Sequence, residues 1–322
     1  MLTTTPILSA TPENIEECAI ILKNGGVVAF PTETVYGLGA CFSNESAVKK
    51  VFLAKGRPAD NPLIVHICSL DQVPMLAQDI PHDAQILMEK YFPGPLTLLL
   101  PKSNNVQELV TAGQASIALR MPNHAIALQI IQKTGIPLVA PSANTSGRPS
   151  PTAAQHVYDD LSGKIDAIID GGVCKVGIES TVLGWIDTIP TIFRPGIITK
   201  EEIEDVLHKK VQSTHLNKNE IPLSPGMKYR HYAPNIPIVL SSSFNEAQKW
   251  LQHFHHNVCI ITDNDEAISE EKYYIKKLEH SSLYANFRDA EMRGYEGIII
   301  ILTQPDSVHP AVLNRINKAV SL

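Results

Sequence analysis

Strand-like and helix-like segments alternate along the first 207 residues, and this alternation constrains the fold more than any other feature. Short apolar runs such as VVAF, NPLIVHI and LTLLL are separated by segments with apolar residues at helical spacing. The clearest helix is TPENIEECAIILKNGG, where Thr11 is a candidate N-cap, Pro12 opens the first turn and two glycines end it. The pattern predicts an α/β domain with a many-stranded sheet.

A second and shorter α/β cycle begins at residue 236. Its strands are predicted at IPIVL, VCIIT and GIIIIL, with helices between them and a final helix at AVLNRINKAVSL. Thr199 and Glu202 form a capping box for the last helix of the first cycle. We therefore predict a large domain at 1–207, a connector at 208–235 and a small Rossmann-like domain at 236–322.

The predicted connector carries the only basic surplus of the chain. Residues 1–207 hold 14 Lys and Arg against 21 Asp and Glu, whereas residues 208–235 hold 5 against 1. Its sequence SPGMKYRHYAP, at 224–234, is also aromatic, which is unusual for a linker. A cationic, aromatic connector predicts an anionic partner.

Composition and cysteine usage exclude several classes of protein. The chain has 44% hydrophobic and 19% charged residues, and no apolar run approaches the roughly 18 residues of a membrane span. The N-terminal segment MLTTTPILSATPEN lacks a basic region, so we expect a cytoplasmic protein. Five scattered cysteines without a CxxC pair favour free thiols over disulfides or a zinc site.

Familiar catalytic and nucleotide motifs are absent or incomplete. Lys164 lacks the flanking residues of a Walker A loop, and Phe42 stands where a dinucleotide fingerprint needs its third glycine. Neither HExxH nor GxSxG occurs. The histidines around His253 are better explained by a polar helix end, and no metal ligands are predicted.

Polar loops follow the predicted strands of the first domain, where α/β proteins commonly bind ligands. This acidic domain places Lys55, Arg57, Arg120 and Arg194 in such loops, beside Ser, Thr and Asn. Arginine in this position suits the binding of carboxylate or phosphate groups. Each loop taken alone is also compatible with an ordinary turn or a solvated surface charge.

The motif series as a whole resembles the YrdC family. The segments that carry the resemblance are KGRPADNPLIVHI, PGPLTLLL, ALRMP, PLVAPSANTSGRPSPT, GIESTVLG and FRPG. The match runs across residues 13–235 in order and reaches the C-terminus. The connector SPGMKYRHYAP and the ending AVLNRINKAV are similar to the long, two-domain form of that family. The resemblance implies a YrdC-like twisted sheet with helices, followed by a smaller Rossmann-like α/β domain.

The resemblance also implies the reaction and its participants. L-threonine, bicarbonate and ATP, with Mg²⁺, would give threonylcarbamoyl-AMP and pyrophosphate, and the product would pass to a tRNA threonylcarbamoyl-transferase. Weak contact with tRNA is compatible with this role. The carbamate of threonine would attack the α-phosphorus of ATP, a route that needs positioning and charge stabilisation rather than an enzyme nucleophile.

Site residues follow from the family pattern. Five positions are expected to hold L-threonine: Thr34, His66, Arg120, Ser180 and the backbone at Ala140. Seven are expected to contact ATP: Arg57, Asn61, Ser116, Ser142, Ser150, Arg194 and Tyr232. We add Lys55 to Arg57 as a catalytic candidate, because its charge suits phosphate or bicarbonate. His66 lies in a strand and could instead be a core histidine, and no base for the threonine amine is evident.

The connector is then predicted to be a lid over the site, with its positive charge near polyphosphate. A tRNA- or RNA-binding module is the alternative from another class, although such proteins usually have a pI above about 9 and this chain has a pI of about 6.1. A carbamoyl-adenylate enzyme with another acceptor is the second alternative. Threonine dependence of pyrophosphate release separates these possibilities.

Overall fold

The computed structural model describes residues 4–214, 232–264 and 273–320. Within them the chain divides into two compact units. Unit 1 comprises 4–146 and 151–214, and unit 2 comprises 147–150 and 232–320. The predicted connector falls largely outside the described residues, and its boundaries stay a prediction.

Unit 1 is built on a mixed sheet whose described strands run in the order β1-β8-β2-β3-β7-β4-β6-β5-β9-β10-β11. The strands are β1 (Ile7–Ser9), β2 (Val28–Phe30), β3 (Gly37–Cys41), β4 (Ile64–His66), β5 (Leu96–Pro101), β6 (Ser116–Arg120), β7 (Leu138–Val139), β8 (Ala167–Asp170), β9 (Thr181–Ile186), β10 (Ile189–Arg194) and β11 (Gln212–Ser213). The helices are α1 (Pro12–Lys23), α2 (Glu45–Lys55), α3 (His82–Tyr91), α4 (Glu108–Thr111), α5 (Ala125–Thr134), α6 (Ala154–Leu161) and α7 (Lys200–Leu207), with a 3-10 helix at Leu70–Met75.

The helix ends follow the predicted capping chemistry. Thr11 Oγ1 accepts a hydrogen bond from the backbone N–H of Asn14 at the start of α1, and Pro12 lies in its first turn. Thr199 and Glu202 form the predicted capping box of α7. The polar ends of these helices are therefore satisfied locally, and their apolar faces are left to pack.

Side chains of the central strands alternate between two faces of the sheet. Val65, Leu98, Leu119 and Leu183 enter the main core of unit 1. The residues between them face the other way and form a separate cluster: Ile64, Leu99, Ala118, Val182 and Phe193. We call this second cluster the apolar floor, because the predicted site residues lie around it.

Strand β3 occupies a stretch that the sequence places in a loop. Gly37–Cys41 pairs antiparallel with β2, in a register that sets Ala29 opposite Leu38. Gly39 weakens the strand signal, yet it is required there, because a Cβ at this position would lie 2.5 Å from the ring of Phe30. Glycine at this position permits the close approach of the strand to Phe30. The local sequence does not reveal this contact.

Unit 2 contains a parallel sheet whose described strands are ordered β12-β15-β13-β14. Its strands are β12 (Ile238–Ser241), β13 (Val258–Thr262), β14 (Tyr274–Lys277) and β15 (Gly297–Ile301), and its helices are α8 (Phe244–His253), α9 (Leu283–Met292) and α10 (Pro310–Ala319), with a 3-10 helix at Pro305–Ser307. Val239, Leu251, Ile260 and Ile299 pack in its core. This is the α/β arrangement predicted for the second domain.

None of the described helices has both the length and the apolar character needed to cross a bilayer.

Candidate active site

The apolar floor of unit 1 is bordered by polar side chains at both ends of β6. Arg120 and Ser116 are four residues apart on this strand, on the same face as Ala118 of the floor. A strand rises about 3.3 Å per residue, so the two positions are roughly 13 Å apart. The strand therefore sets two polar groups at opposite ends of one apolar face.

Arg120 lies at the buried end of the floor. Its guanidinium is 2.8 Å from Glu33, between Nη2 and Oε2, and its Nε donates to the carbonyl of Gly94 at 3.3 Å. The N–H groups of Nη2 do not point along the line to Glu33, since this short approach lacks hydrogen-bond geometry. Nε and Nη2 both contact protein groups, so a bidentate contact of Arg120 with a substrate carboxylate stays a prediction.

His66 is the neighbour of Arg120 across the β4–β6 pair, where the two residues are in register. Burial, and then the positive charge of Arg120, lower the pKa of His66 to about 3. The imidazole is therefore neutral at physiological pH. Its Nδ1 makes no hydrogen bond to the described residues, and contact of His66 with a ligand stays a prediction.

Thr34 lies in the short turn between β2 and β3. Its Oγ1 is 2.8 Å from the hydroxyl of Thr32, which in turn donates to the carbonyl of Val35. The carbonyl of Thr34 accepts from the backbone N–H of Gly177, which brings the PTET turn beside the GIEST loop. The same sheet holds Ala140 beside β4, because its N–H donates to the carbonyl of Ile64 at 2.9 Å.

Ser180 is fixed by two neighbours. Its hydroxyl is 2.7 Å from Thr97 Oγ1, and Arg194 donates to both its hydroxyl and its carbonyl at 3.1 Å. Gly196 allows this approach, because a Cβ there would lie 2.1 Å from the backbone nitrogen of Thr181. The FRPG and GIEST motifs therefore form one structure around Ser180.

Lys55 contacts the loop that contains Ser142, Ala143 and Asn144, which we call the SAN loop. Its Nζ donates to the carbonyls of Ser142 at 2.5 Å and Asn144 at 2.6 Å, and the side chain is almost fully buried. Burial, and then the charge of Arg57, hold the pKa of Lys55 well below its ordinary value. Two of its three donors are engaged with backbone, so contact with phosphate or bicarbonate stays a prediction, whereas the supporting role is visible.

The remaining unit 1 candidates for ATP are also held by local hydrogen bonds. Arg57 donates to the carbonyls of Asn61 and Pro62, and Ser142 donates to Asn144 Oδ1 at 2.6 Å. Asn61 is buried, and its Oδ1 has no hydrogen-bond partner among the described residues. Loops organised in this way can present donors to phosphate oxygens.

Ser116 opens onto a cavity of about 360 Å³ at the far end of the floor. Leu99, Phe193 and Trp185 also line this cavity. A mostly apolar space next to a hydroxyl is suited to a flat aromatic base.

Ser150 and Tyr232 belong to unit 2. Both are buried, and the ring of Tyr232 stacks on Tyr284 with centroids 5.4 Å apart while the guanidinium of Arg315 lies 5.3 Å from its centre. The predicted contacts of these two residues with ATP stay predictions. The rest of the predicted lid lies outside the described residues.

Two residues of the site escaped the sequence analysis. Thr97 sits within the apolar-looking run LTLLL, and Glu33 sits within a segment that resembles an ordinary turn. The signal for Thr97 was its place on the face of β5 opposite Leu96, Leu98 and Leu100. Glu33 has no comparable signal, because its importance depends on Arg120, which is distant in the chain.

The described residues contain no group of three or more His, Cys, Asp or Glu side chains placed to hold a metal ion. The thiol of Cys174, which is influenced by the charges of Glu33 and Arg120, has a pKa raised to about 12, chiefly by burial. Within the described part of unit 1, the geometry therefore points to binding and positioning rather than to a thiolate nucleophile.

Family models match both parts of the chain. The model for Sua5, YciO and YrdC proteins, described as "Telomere recombination", matches residues 20–196. A second, described as "Threonylcarbamoyl-AMP synthase, C-terminal domain", matches residues 198–321. The chain belongs to the Sua5/YrdC family.

Individual relatives agree with this membership. A threonylcarbamoyl-AMP synthase of Bacillus subtilis is 44% identical over 327 residues, covering 97% of this chain and 94% of the relative. That of Pyrococcus abyssi is 49% identical over 235 residues, covering 71% and 69%. The crystal structure of P. abyssi Sua5 complexed with L-threonine superposes with a TM-score of 0.90 at 38% identity, covering 98% of this chain and 97% of that one.

The Sua5/YrdC membership confirms three predictions. The family suggested by the motif series is confirmed, as is the fold class of a large twisted sheet with helices plus a second sheet domain. The activity class is also confirmed, that of a threonylcarbamoyl-AMP synthase, an enzyme that forms an adenylate. The individual site residues stay predictions.

Proposed function

We propose that unit 1 binds L-threonine at the Arg120 end of the apolar floor and ATP along the floor toward Ser116. The observation that carries this placement is the single strand β6, which presents Arg120, Ala118 and Ser116 on one face. The separation of roughly 13 Å between its ends suits a nucleotide whose α-phosphate lies near the amino acid and whose base lies farther away.

Threonine would be held through its carboxylate by the guanidinium of Arg120. A bidentate pair of this kind is stronger and more directional than a contact with lysine. Ser180, Thr34, His66 and the backbone at Ala140 surround this end and supply neutral polar contacts. A neutral His66 fits the arrangement, because a second cation beside Arg120 would be repelled.

ATP would be held by the loops beside the floor. Arg57, Asn61, Ser142 and Arg194 are the unit 1 candidates for its phosphates and ribose, and Lys55 keeps the SAN loop in position. Mg²⁺ would accompany the phosphates, which it binds through phosphate oxygens and water rather than through a dedicated protein cage. The cavity at Ser116 is the proposed place of the base.

The chemistry then proceeds in two steps. The amine of threonine forms an N–C bond with bicarbonate, water leaves, and a carbamate results. A carbamate oxygen attacks the α-phosphorus of ATP in line and pyrophosphate leaves, giving threonylcarbamoyl-AMP. The buried end of the floor protects the carbamate and the mixed anhydride from water, and fixed polar groups stabilise charge on the phosphoryl group.

The product would be consumed by a tRNA threonylcarbamoyl-transferase, because a mixed anhydride is an activated donor that needs a prompt acceptor. Any direct contact with tRNA and a cytoplasmic location stay predictions. The predicted lid at 224–234 lies largely outside the described residues and stays a prediction.

Labelled bicarbonate tests the proposed route directly. The purified chain is incubated with ATP, Mg²⁺, L-threonine and ¹³C-bicarbonate, and the adenylate is analysed by mass. We expect one labelled carbon in the carbamoyl group of the product. An unlabelled adenylate, such as threonyl-AMP, would show that the threonine carboxylate and not a carbamate attacks ATP.

A further inference from the structure

Glu33 is a buried carboxylate to which the proposed function assigns no contact with a substrate. It is 8% exposed, it follows Thr32 in the PTET turn, and one of its oxygens lies 2.8 Å from Arg120. Neither carboxylate oxygen accepts a hydrogen bond of proper geometry from any residue in the described part of the chain. Arg120 balances the charge of Glu33, while the carboxylate oxygens keep the capacity to accept hydrogen bonds from a ligand.

Arg120 and Glu33 together form a buried positive and negative pair. An α-amino acid at neutral pH is itself such a pair, with its ammonium group one carbon away from its carboxylate. If Arg120 holds the substrate carboxylate, the adjacent Glu33 is placed to meet the ammonium group. The charges of the site and the substrate then alternate, and no ionic group is left buried without a counter-charge.

Three titratable groups around this pair carry no negative charge. His66 is neutral and has a pKa of about 3, chiefly because it is buried. The pKa of His124 is lowered by burial, against an opposing influence of Glu33, and the pKa of Cys174 is raised to about 12. Glu179, the other buried carboxylate beside Ser180, already interacts with other residues.

We propose that Glu33 is a catalytic residue that binds the α-amino group of threonine and accepts the proton that this group must lose. The proposal rests on the proposed placement of the threonine carboxylate at Arg120. It supplies the base that no sequence motif indicates.

The step balances without any further reactant. The ammonium group gives one proton to Glu33, leaving a neutral amine and a neutral carboxyl. The amine lone pair forms the N–C bond to the bicarbonate carbon, the C–OH bond breaks, and hydroxide leaves with a second amine proton as water. Glu33 returns its proton to solvent after the product has left.

The test compares two ligands that differ only in the amino group. L-threonine and (R)-3-hydroxybutanoate share the carboxylate and the hydroxyl, and their affinities for the full chain are measured by calorimetry and competition. We expect the wild type to prefer threonine strongly. In Glu33→Gln the affinity for threonine should fall about 10- to 100-fold, as expected when a charge-assisted hydrogen bond is lost, while that for 3-hydroxybutanoate changes less than about twofold.

Three outcomes would overturn the assignment. The wild type could bind both ligands equally well, Glu33→Gln could weaken both by the same factor, or it could weaken neither. The second outcome would mean that Glu33 only orients Arg120. Should Glu33→Gln not fold, the wild-type ratio and the charge-retaining Glu33→Asp still decide, since Asp should keep a preference for threonine that is smaller than that of the wild type.

Two further variants separate this proposal from the site on which it rests. Arg120→Lys should weaken both ligands; if it weakens neither, the placement of threonine is wrong and not the role of Glu33. Asp83→Asn is the matched control, because Asp83 is a carboxylate paired with Lys209 in another part of unit 1. It should leave the ratio of the two affinities unchanged.

The pH dependence of the rate distinguishes proton acceptance by Glu33 from a purely structural role. In Glu33→Gln, only threonine whose amino group has already lost its proton in solution can react. Its threonine-dependent rate, relative to wild type, should therefore rise with pH toward the pKa of the free amine. A constant ratio across that range would contradict proton acceptance by Glu33.

Discussion

At the residue scale, the site depends on burying a guanidinium without leaving it unpaired. Removing such a charge from water costs several kcal/mol, and this cost is offset only by well-placed partners. Arg120 meets Glu33 and the carbonyl of Gly94, and the neighbouring His66 stays neutral. In the proposed placement, Arg120 and Glu33 would complement the two charges of a zwitterionic ligand.

Replacement of Arg120 by lysine keeps the charge but removes the planar fork. We expect the KM for threonine to rise about 100-fold, because a bidentate ionic contact is replaced by a single one. The KM for ATP should change much less. Steady-state kinetics with each substrate varied in turn measure both, and an equal rise in the two constants would contradict the assignment of Arg120 to threonine.

His66 gives a prediction for stability against pH. Its folded pKa of about 3 lies below the ordinary value of 6.5, so between these values the unfolded chain binds more protons than the folded one. The free energy of unfolding should therefore fall as pH drops from about 6.5 toward 3, by up to about 1.4 kcal/mol per pH unit. His66→Gln should flatten this dependence.

The measurement is urea unfolding at several pH values, followed by the fluorescence of Trp185 in a Trp250→Phe background. Trp185 reports on unit 1 and Trp250 belongs to unit 2. The control is His255→Gln, because the His255 side chain is largely exposed, and it should keep the wild-type slope. A His66 variant with an unchanged slope would show that this histidine is not buried in its neutral form.

At the element scale, close packing of backbone segments determines where the polar groups lie. Gly196 brings the segment after β10 against the start of β9, and Ser180 is held there by Arg194 and Thr97. Lys55, at the end of α2, plays the equivalent role for the SAN loop.

A methyl group at Gly196 should disturb this packing. Gly196→Ala places a Cβ about 2 Å from backbone atoms of β9, so we expect a loss of about 1–3 kcal/mol or more in unfolding free energy and a weaker affinity for threonine. Thermal melting and calorimetry measure the two effects. Gly135→Ala, which faces open space at a φ of +72°, should cost about 1 kcal/mol without changing threonine affinity.

Removal of the Lys55 ammonium group should affect activity more than stability. Lys55→Met leaves two carbonyls without a donor but also removes a buried charge, so the opposing free energies partly cancel. The SAN loop loses its support, and we expect kcat/KM for ATP to fall at least about tenfold. Lys50→Met is the matched control on the same helix, because Lys50 also donates to a carbonyl, that of Gly25, and normal activity is expected.

Elements with strong local signals were predictable from the sequence, and those defined by tertiary packing were not. The limits of α1 and α2 follow from caps and glycines. Strand β3 was missed because its glycines serve contact with Phe30. Strand β14 was missed because its side chains are only partly buried and show no period-two pattern.

At the scale of the whole molecule, the predicted site residues are divided unequally between the two units. The residues predicted for threonine all lie in unit 1, whereas two of those predicted for ATP lie in unit 2. The alternation of strands and helices predicted both folds, and the motif series predicted the family. Pairs such as Arg120 with Glu33, or Thr97 with Ser180, could be identified only from the three-dimensional structure, because the partners are distant in the chain.

Pyrophosphate release tests the central claim most directly. The purified chain is given ATP, Mg²⁺ and bicarbonate with L-threonine, with L-serine or with no amino acid, and the adenylate is identified by mass. We predict release that requires threonine and yields threonylcarbamoyl-AMP, and that is abolished in Arg120→Ala. Threonine-independent release, equal use of serine, or no release from folded protein would contradict it.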